Sequence, residues 1–237
     1  MEIEYSYKYQ PLFELLEGLH QQVDTVIVTG GRGSAKSHAI SFWSITALVQ
    51  YYYNILYTRY TSLSIVDSVK PEVSDKIELF PPIGIKDTET HIEYKGNRIA
   101  FKGIKTGSKQ QTANLKPLSG FNVFIVDEAE ELPDLDTFKK VFYSIRSPKK
   151  RNITILILNP TCQQHWIYEE FFSSRGINGG HNGINENVMY IHTSYLDVNP
   201  DYIAENIRKD YERLKRTNID KYNNIVLGGW LEEPEGP

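Results

Sequence analysis

Residues 30–37 read Gly-Gly-Arg-Gly-Ser-Ala-Lys-Ser, and no other stretch of the chain restricts its fold as much. Glycines let a backbone curl until successive N–H groups point inward, and a helix start adds positive partial charge at the same place. Such a loop needs a strand behind it and a helix ahead of it. Thr25 to Thr29 has the profile of a strand buried on both faces. From Ser37 to Tyr53, apolar residues recur at Ile40, Trp43, Ala47 and Leu48, the spacing of a helix that buries one face. The segment therefore reads as a phosphate cradle. Gly30, Gly31, Arg32, Gly33, Ser34 and Ala35 supply its backbone, Lys36 reaches the β- and γ-phosphates of a nucleotide, and the Ser37 hydroxyl ligates Mg2+.

Two residues of the loop carry their own questions. Ala35 stands where such loops usually have glycine immediately before the lysine. If that position needs positive φ, alanine costs about 1 kcal/mol or more; if it is near-helical, it costs nothing. Arg32 is placed to swing onto the γ-phosphate as an arginine finger supplied in cis, with a solvated loop arginine as the plainer alternative.

A second chemical feature follows from Asn122 to Val126, a buried strand that ends directly in Asp127-Glu128. Such a strand delivers its end to the crevice at the sheet's carboxyl edge, where the phosphate loop also lies. Asp127 would hold Mg2+, mostly through water, and Glu128 would orient or deprotonate the attacking water. The plainer alternative is an acidic strand end, since Glu130, Glu131, Asp134 and Asp136 follow. Ile153 to Leu158 is a further buried strand, ending in Asn159-Pro160-Thr161. Asn159 is the first candidate for sensing the γ-phosphate and Thr161 the second. No Asn-Lys-x-Asp guanine-reading motif occurs in the chain, which argues against a GTPase.

The remaining segments read as alternating strands and helices. Asn54 to Arg59 is a strand, and Leu63 to Leu79 is a helix that Pro71 should kink or divide. His91 to Tyr94 and Arg98 to Lys102 form a hairpin about Lys95-Gly96-Asn97. A helix runs from about Leu135 to Ile145, Ser173 to Asn187 is the best candidate for a mobile loop, and Val188 to His192 is a short strand. One or two charged helices follow between Pro200 and Leu227. Alternation of this kind predicts an α/β fold with an open, mostly parallel sheet covered on both faces. Its strands are those before Gly30, at Asn54, at Asn122 and at Ile153.

Composition excludes several alternatives. The net charge of −4 leaves nucleic-acid contact to local patches or to a ring of subunits. One cysteine, Cys162, rules out an intramolecular disulfide framework. Neither an export signal nor a membrane span is readable, so a soluble intracellular protein is expected.

At this point the residues resemble the N-terminal packaging ATPase domain of the large terminase subunit of tailed double-stranded DNA bacteriophages. The likeness covers nearly the whole chain: the phosphate loop with its arginine, Arg59, Ile99 to Gly103, Asp127 to Leu132, Ser144-Ile145-Arg146, and Asn159-Pro160 followed by His165-Trp166. Most specific is the tail, Thr193 to Asp197 with Asn199-Pro200, then Tyr222 and Leu227-Gly228-Gly229-Trp230. The resemblance implies a P-loop NTPase of the additional-strand, catalytic-glutamate type over residues 1–195, with a small helical linker subdomain over 196–237. It implies ATP and Mg2+ as ligands and ATP-driven translocation of double-stranded DNA into a procapsid. Implied partners are the portal protein, the small terminase subunit and further copies in a ring, with a monomer in isolation. It places the protein in the host cytoplasm and outside the mature virion. Gln10 is its positional match for an adenine-reading glutamine, with Gln21 and Gln22 competing. Arg98 and Arg146 are candidates for an arginine acting on a neighbouring subunit. Relatives usually continue into a nuclease domain; no second set of strand-end aspartates is visible here, so a shortened chain without nuclease activity is expected.

For DNA contact the chosen patch is Lys149, Lys150 and Arg151, between the acid-pair helix and the Asn159 strand, where it would track hydrolysis. Lys102 to Lys109 and the run Arg208 to Arg216 are rivals. Two other readings remain at this stage: a helicase-like ATPase and a nucleotide-dependent assembly switch with little turnover.

Overall fold

The computed structural model describes residues 5–61, 65–81, 84–105, 120–145, 147–148 and 150–233. Among these residues nine strands make one sheet: β1 (Thr25–Gly30), β2 (Ile55–Thr61), β3 (Lys86–Asp87), β4 (His91–Tyr94), β5 (Asn97–Lys105), β6 (Val123–Val126), β7 (Ile153–Leu158), β8 (Gly183–Asn185) and β9 (Val188–Thr193). Their order is β3-β4-β5-β2-β6-β7-β1-β9-β8. From β5 across to β9 every neighbour is parallel, and β3, β4 and β8 add antiparallel edges. The expected four-stranded core is present; the expected hairpin supplies β4 and β5 on one side and the expected short strand supplies β9 on the other, while β3 and β8, of two and three residues, are too short for periodicity to reveal.

Register decides where the chemistry falls. Thr29 pairs with Leu158 and with His192, and Thr58 pairs with Val126. The parallel strands therefore end nearly level, and the segments after Gly30, Val126 and Leu158 emerge along one edge. Alternate residues on each strand divide the core into two layers. Val26, Val28, Ile155 and Ile157 face a cluster containing Trp43 and Leu12; Ile27, Phe124 and Leu156 face one containing Phe138 and Phe171. Each fully buried aliphatic or aromatic side chain contributes about 1.5–3 kcal/mol.

Six α-helices of five residues or more occur among the described residues: α1 (Gln10–Glu14), α2 (Lys36–Tyr51), α3 (Lys70–Asp75), α4 (Leu135–Phe142), α5 (Trp166–Phe171) and α6 (Glu205–Thr217). The expectation that α2 buries a single face needs correcting. From Ala39 to Val49 only Phe42 escapes full burial, and the polar Ser41, Ser44 and Thr46 are enclosed with the rest. Ser44 and Thr46 are accommodated because their hydroxyls donate to the carbonyls of Ile40 and Phe42 one turn back. On its outer side α2 is held by α1, where the Trp43 indole donates to the Leu12 carbonyl at 2.9 Å.

Pro71 divides its segment as expected. A wide turn over Ile65–Val69 gives way to α3, with Pro71 in the first turn, where its missing N–H is not needed. The hairpin between β4 and β5 turns at Lys95 and Gly96, both at positive φ, 48° and 80°. The Gly- and Asn-rich stretch 173–187, expected as a loop, contains β8 paired to β9. After β9, Tyr211, Tyr222 and Val226 form a small separate cluster. The chain then returns to the main body: Trp230 packs on Tyr168 and Phe172, and Leu231 bridges to Cys162. Among the described residues, no helix is long and apolar enough to cross a membrane.

Candidate functional site

The loop between β1 and α2 curls as the sequence requires. Gly33 lies at φ 72° and Ala35 at φ 58°, ψ 22°, so the alanine is in the left-handed region that glycine enters freely. That conformation costs an alanine about 1–2 kcal/mol. Inside the curl the Lys36 ammonium donates to the carbonyls of Gly30 (2.8 Å) and Gly31 (3.0 Å), to Ser34 Oγ (3.1 Å) and to Asn159 Oδ1 (3.0 Å). Burial pulls this ammonium down to about 8, against the attraction of Glu130 and Asp127.

The outer side of the loop is packed by residues distant in sequence. The Arg32 N–H donates to the Ile225 carbonyl at 2.9 Å, and the Tyr211 hydroxyl donates to the Arg32 carbonyl at 3.3 Å. A Cβ on Gly31 would sit 1.9 Å from the Val226 carbonyl oxygen, and one on Gly228 would sit 2.4 Å from the Gly30 carbonyl carbon. Both glycines are therefore required by close backbone approach. Asn224 extends the same strap to the exit of β7, donating to the Pro160 carbonyl at 2.8 Å. On the third side Tyr9, wholly buried, brings its hydroxyl to Thr193 Oγ1 (2.9 Å) and to the Ser34 carbonyl (3.4 Å).

Asp127 and Glu128 emerge from β6 opposite the loop. Arg59, at the end of β2, donates to Asp127 Oδ2 through Nε at 2.8 Å and through its terminal nitrogen at 2.7 Å. The same terminal nitrogen lies 3.2 Å from Glu128 Oε1. Glu128 is itself at φ 51°, ψ 48°, a turn that sets its carboxyl beside that of Asp127. Burial raises the Glu128 carboxyl, with Arg59 acting the other way. Between the two elements lies a cleft of about 400 Å³, lined by the phosphate loop, His38, Arg59, Glu72, Asp127, Glu128 and Asn159. Burial raises Glu72 and lowers His38.

Of the residues singled out from sequence, Gly31 to Ser37, Asp127, Glu128 and Asn159 converge on this cleft, and Gly30 ends the strand that leads into it. Thr161 does not line it; the Thr161 carbonyl accepts from the Leu231 N–H at 2.9 Å. Gln10 is exposed at the start of α1 and donates to Glu14 at 2.9 Å. Arg98 lies exposed at the start of β5, its guanidinium over the Phe121 ring. Arg146 and Lys149 lie outside the described residues. Lys150 and Arg151 precede β7 and so sit at the edge of the sheet opposite the cleft. There Lys150 donates to the Tyr52 carbonyl, and Arg151 donates to the carbonyls of Leu19 (3.2 Å), His20 (2.5 Å) and Val23. Both side chains are turned onto carbonyls of the chain itself, and their position is not beside the cleft.

Sequence reading missed Glu72, His38, Tyr9 and Tyr211 as neighbours of the loop. His38 follows the loop directly on α2, whereas Glu72, Tyr9 and Tyr211 carry no local signal, because tertiary packing alone brings them there. Glu130 counts in sequence only as one acid of an acidic loop, yet Asn159 donates to its Oε1 at 3.1 Å and its Oε2 is buried.

Residues 22–229 match the family model described as phage terminase large subunit. A curated relative, the large terminase subunit of Bacillus phage SPP1, is 26% identical over 212 residues, which is 85% of this chain and 48% of that protein. The chain thus spans about half the length of that relative. Among solved structures, the large terminase of a thermophilic bacteriophage in complex with ATP-γ-S superposes with a TM-score of 0.70 at 16% identity, covering 96% of this chain and 53% of that one. The large terminase ATPase domain of Thermus phage P74-26 gives 0.57 at 17% identity, over 95% of this chain and 98% of that one. These likenesses show a shared P-loop fold. With the family model matching most of its length, the chain belongs to the phage terminase large subunit family.

Proposed function

We propose that this chain is an ATP-hydrolysing motor domain that drives double-stranded DNA into a procapsid. The observation that carries the reading is the convergence of the phosphate loop and the Asp127-Glu128 pair on a single cleft. In this reading Lys36 exchanges the loop carbonyls for the β- and γ-phosphates, and the inward N–H groups of residues 33–37 hold the remaining oxygens. Arg32, exposed at the mouth of the cleft, reaches the γ-phosphate from the same chain. Glu128 orients the attacking water and takes its proton, and Asn159 reports whether the γ-phosphate is present.

Mg2+ fits the donor set. No group of three His, Cys, Asp or Glu side chains able to hold a metal occurs among the described residues. A hydroxyl and one buried carboxylate are what a cation completed by phosphate oxygens and water requires. Ser37 and Asp127 would hold it, and when bound it would neutralise charge on the β- and γ-oxygens.

Family membership supports double-stranded DNA, the portal, the small subunit and a ring of copies as partners, and the host cytoplasm as the place of action. It also supports residues 196–237 as a linker to a domain beyond. The test is steady-state Mg-ATP hydrolysis by the wild type and by Glu128→Gln at several protein concentrations. Turnover should fall by about 100-fold or more in the variant while ATP binding persists, and in the wild type it should rise more than linearly with concentration. Turnover at background in both proteins would sink the motor reading for this chain and leave a nucleotide-binding switch.

A further inference from the structure

Asn159 is clamped between two partners of fixed and opposite polarity. The Lys36 ammonium can only donate, so it takes the amide oxygen at 3.0 Å. The ionised Glu130 carboxylate can only accept, so it takes the amide NH2 at 3.1 Å. Both partners therefore enforce the same orientation of the amide, with its acceptor toward the phosphate loop and its donors turned away. A γ-phosphate is itself an acceptor. To touch it, Asn159 must present NH2, which is the group Glu130 holds. Reversing the amide would set its oxygen against the Glu130 carboxylate, acceptor facing acceptor, unless that carboxyl carries a proton. The second Glu130 oxygen, Oε2, is buried and has no hydrogen-bond partner among the described residues. Burial pushes this carboxyl up to about 7, with the hydrogen bonds from Asn159 acting to lower it.

We propose that Glu130 is a positioning residue that locks the Asn159 amide in its nucleotide-free polarity. Capture of Lys36 by the γ-phosphate removes one half of the clamp, and release by Glu130 completes the reversal. Glu130 touches neither nucleotide nor water in this scheme; it acts through Asn159. The charged groups near it are Lys36 from α2 and Glu128 on its own turn. His165, from the turn before α5, donates to the Glu130 main-chain carbonyl at 3.1 Å and is held toward the neutral form by burial. The proton comes from solvent, and the protonated Glu130 carboxyl donates it in a hydrogen bond to the reversed amide oxygen, so no other side chain has to give or take one.

The inference rests on the ATPase reading and names how its nucleotide state is sensed. The experiment is calorimetric titration with ADP and with ATP-γ-S, both with Mg2+, between about pH 6 and about pH 8.5, a span centred near the shifted carboxyl. In the wild type the preference for ATP-γ-S over ADP should rise as pH falls through about 7, because protonation releases the amide. Glu130→Gln, whose amide can either donate or accept, should raise that preference about tenfold near pH 8 and remove the rise that the wild type shows through about pH 7, a change the size of one charge-assisted hydrogen bond. Titration of the nucleotides cancels in the comparison of the two proteins. Adding Asn159→Ala should abolish the gain, and Glu130→Ala should reproduce it if the glutamine variant fails to fold. Equal changes in ADP and ATP-γ-S affinity, or a slope through about pH 7 as steep in Glu130→Gln as in the wild type, would overturn the proposal and leave the ATPase reading standing. A wild type that binds neither nucleotide would take both down.

Discussion

Asn122 and Asn159 stand at opposite ends of the same sheet, and each uses both ends of its amide. Asn122, wholly buried before β6, accepts the Asn54 N–H at 2.9 Å and donates to the Arg151 carbonyl at 3.1 Å. Asn159, exposed after β7, is held by Lys36 and Glu130. The chemistry of the two side chains is identical; the partners differ. Backbone N–H and C=O groups never change polarity, so Asn122 is a permanent tie between the starts of β2, β6 and β7. An ammonium that a phosphate can capture and a carboxyl that titrates near neutrality make Asn159 a tie that can be undone. The difference shows that a buried polar network is a fixture or a switch according to whether its partners can be taken away.

The contrast can be broken first at the fixed end. Asn122→Ala leaves the half-buried Asn54 N–H and Arg151 carbonyl without their partner and should lower stability by about 1–3 kcal/mol, read by urea unfolding, with turnover per folded molecule unchanged. Asn159→Ala should do the reverse. Turnover should fall about tenfold, while unfolding shifts by less than about 1 kcal/mol because the site is exposed. A stability loss as large as that of Asn122→Ala would erase the distinction.

A finer probe uses pH. The nucleotide-free Lys36 ammonium titrates at about 8, whereas bound phosphate would favour its charged form. Nucleotide affinity should therefore be fully developed below pH 8 and fall by up to about tenfold per unit above it, with no such slope in Lys36→Met. Smallest of all, Ala35→Gly relieves the left-handed alanine. It should raise stability by up to about 1 kcal/mol and leave nucleotide affinity as it was, which thermal unfolding and titration would check.

The parts legible in the sequence are those whose signal is local. The strand before Gly30, the loop itself, α2, and the run ending in Asp127-Glu128 each carry periodicity or a motif within a few residues. Asn159 could be chosen because a strand end beside the acid pair is a geometric consequence of the fold. Glu130 could not, since an acidic turn in sequence gives no hint that one of its carboxyls folds inward. Arg59 was visible only as a landmark of the resemblance, and its grip on both acids depends on β2 lying next to β6. Gln10 is a positional match alone: the neighbouring Tyr9 goes to the phosphate loop, while Gln10 is exposed and donates to Glu14. Lys150 and Arg151 form a conspicuous charge run, yet their neighbours are carbonyls of the chain itself.

Gly31 and Gly228 meet across the outside of the phosphate loop with no room for a side chain on either. Replacing one does nothing to make the other dispensable, because each faces main chain and not the partner's missing side chain. The two positions are therefore bound to be inherited together, although most of the chain separates them. A chain that lost either glycine would have to move the loop and the tail apart together, because the side chain would meet backbone on the other segment.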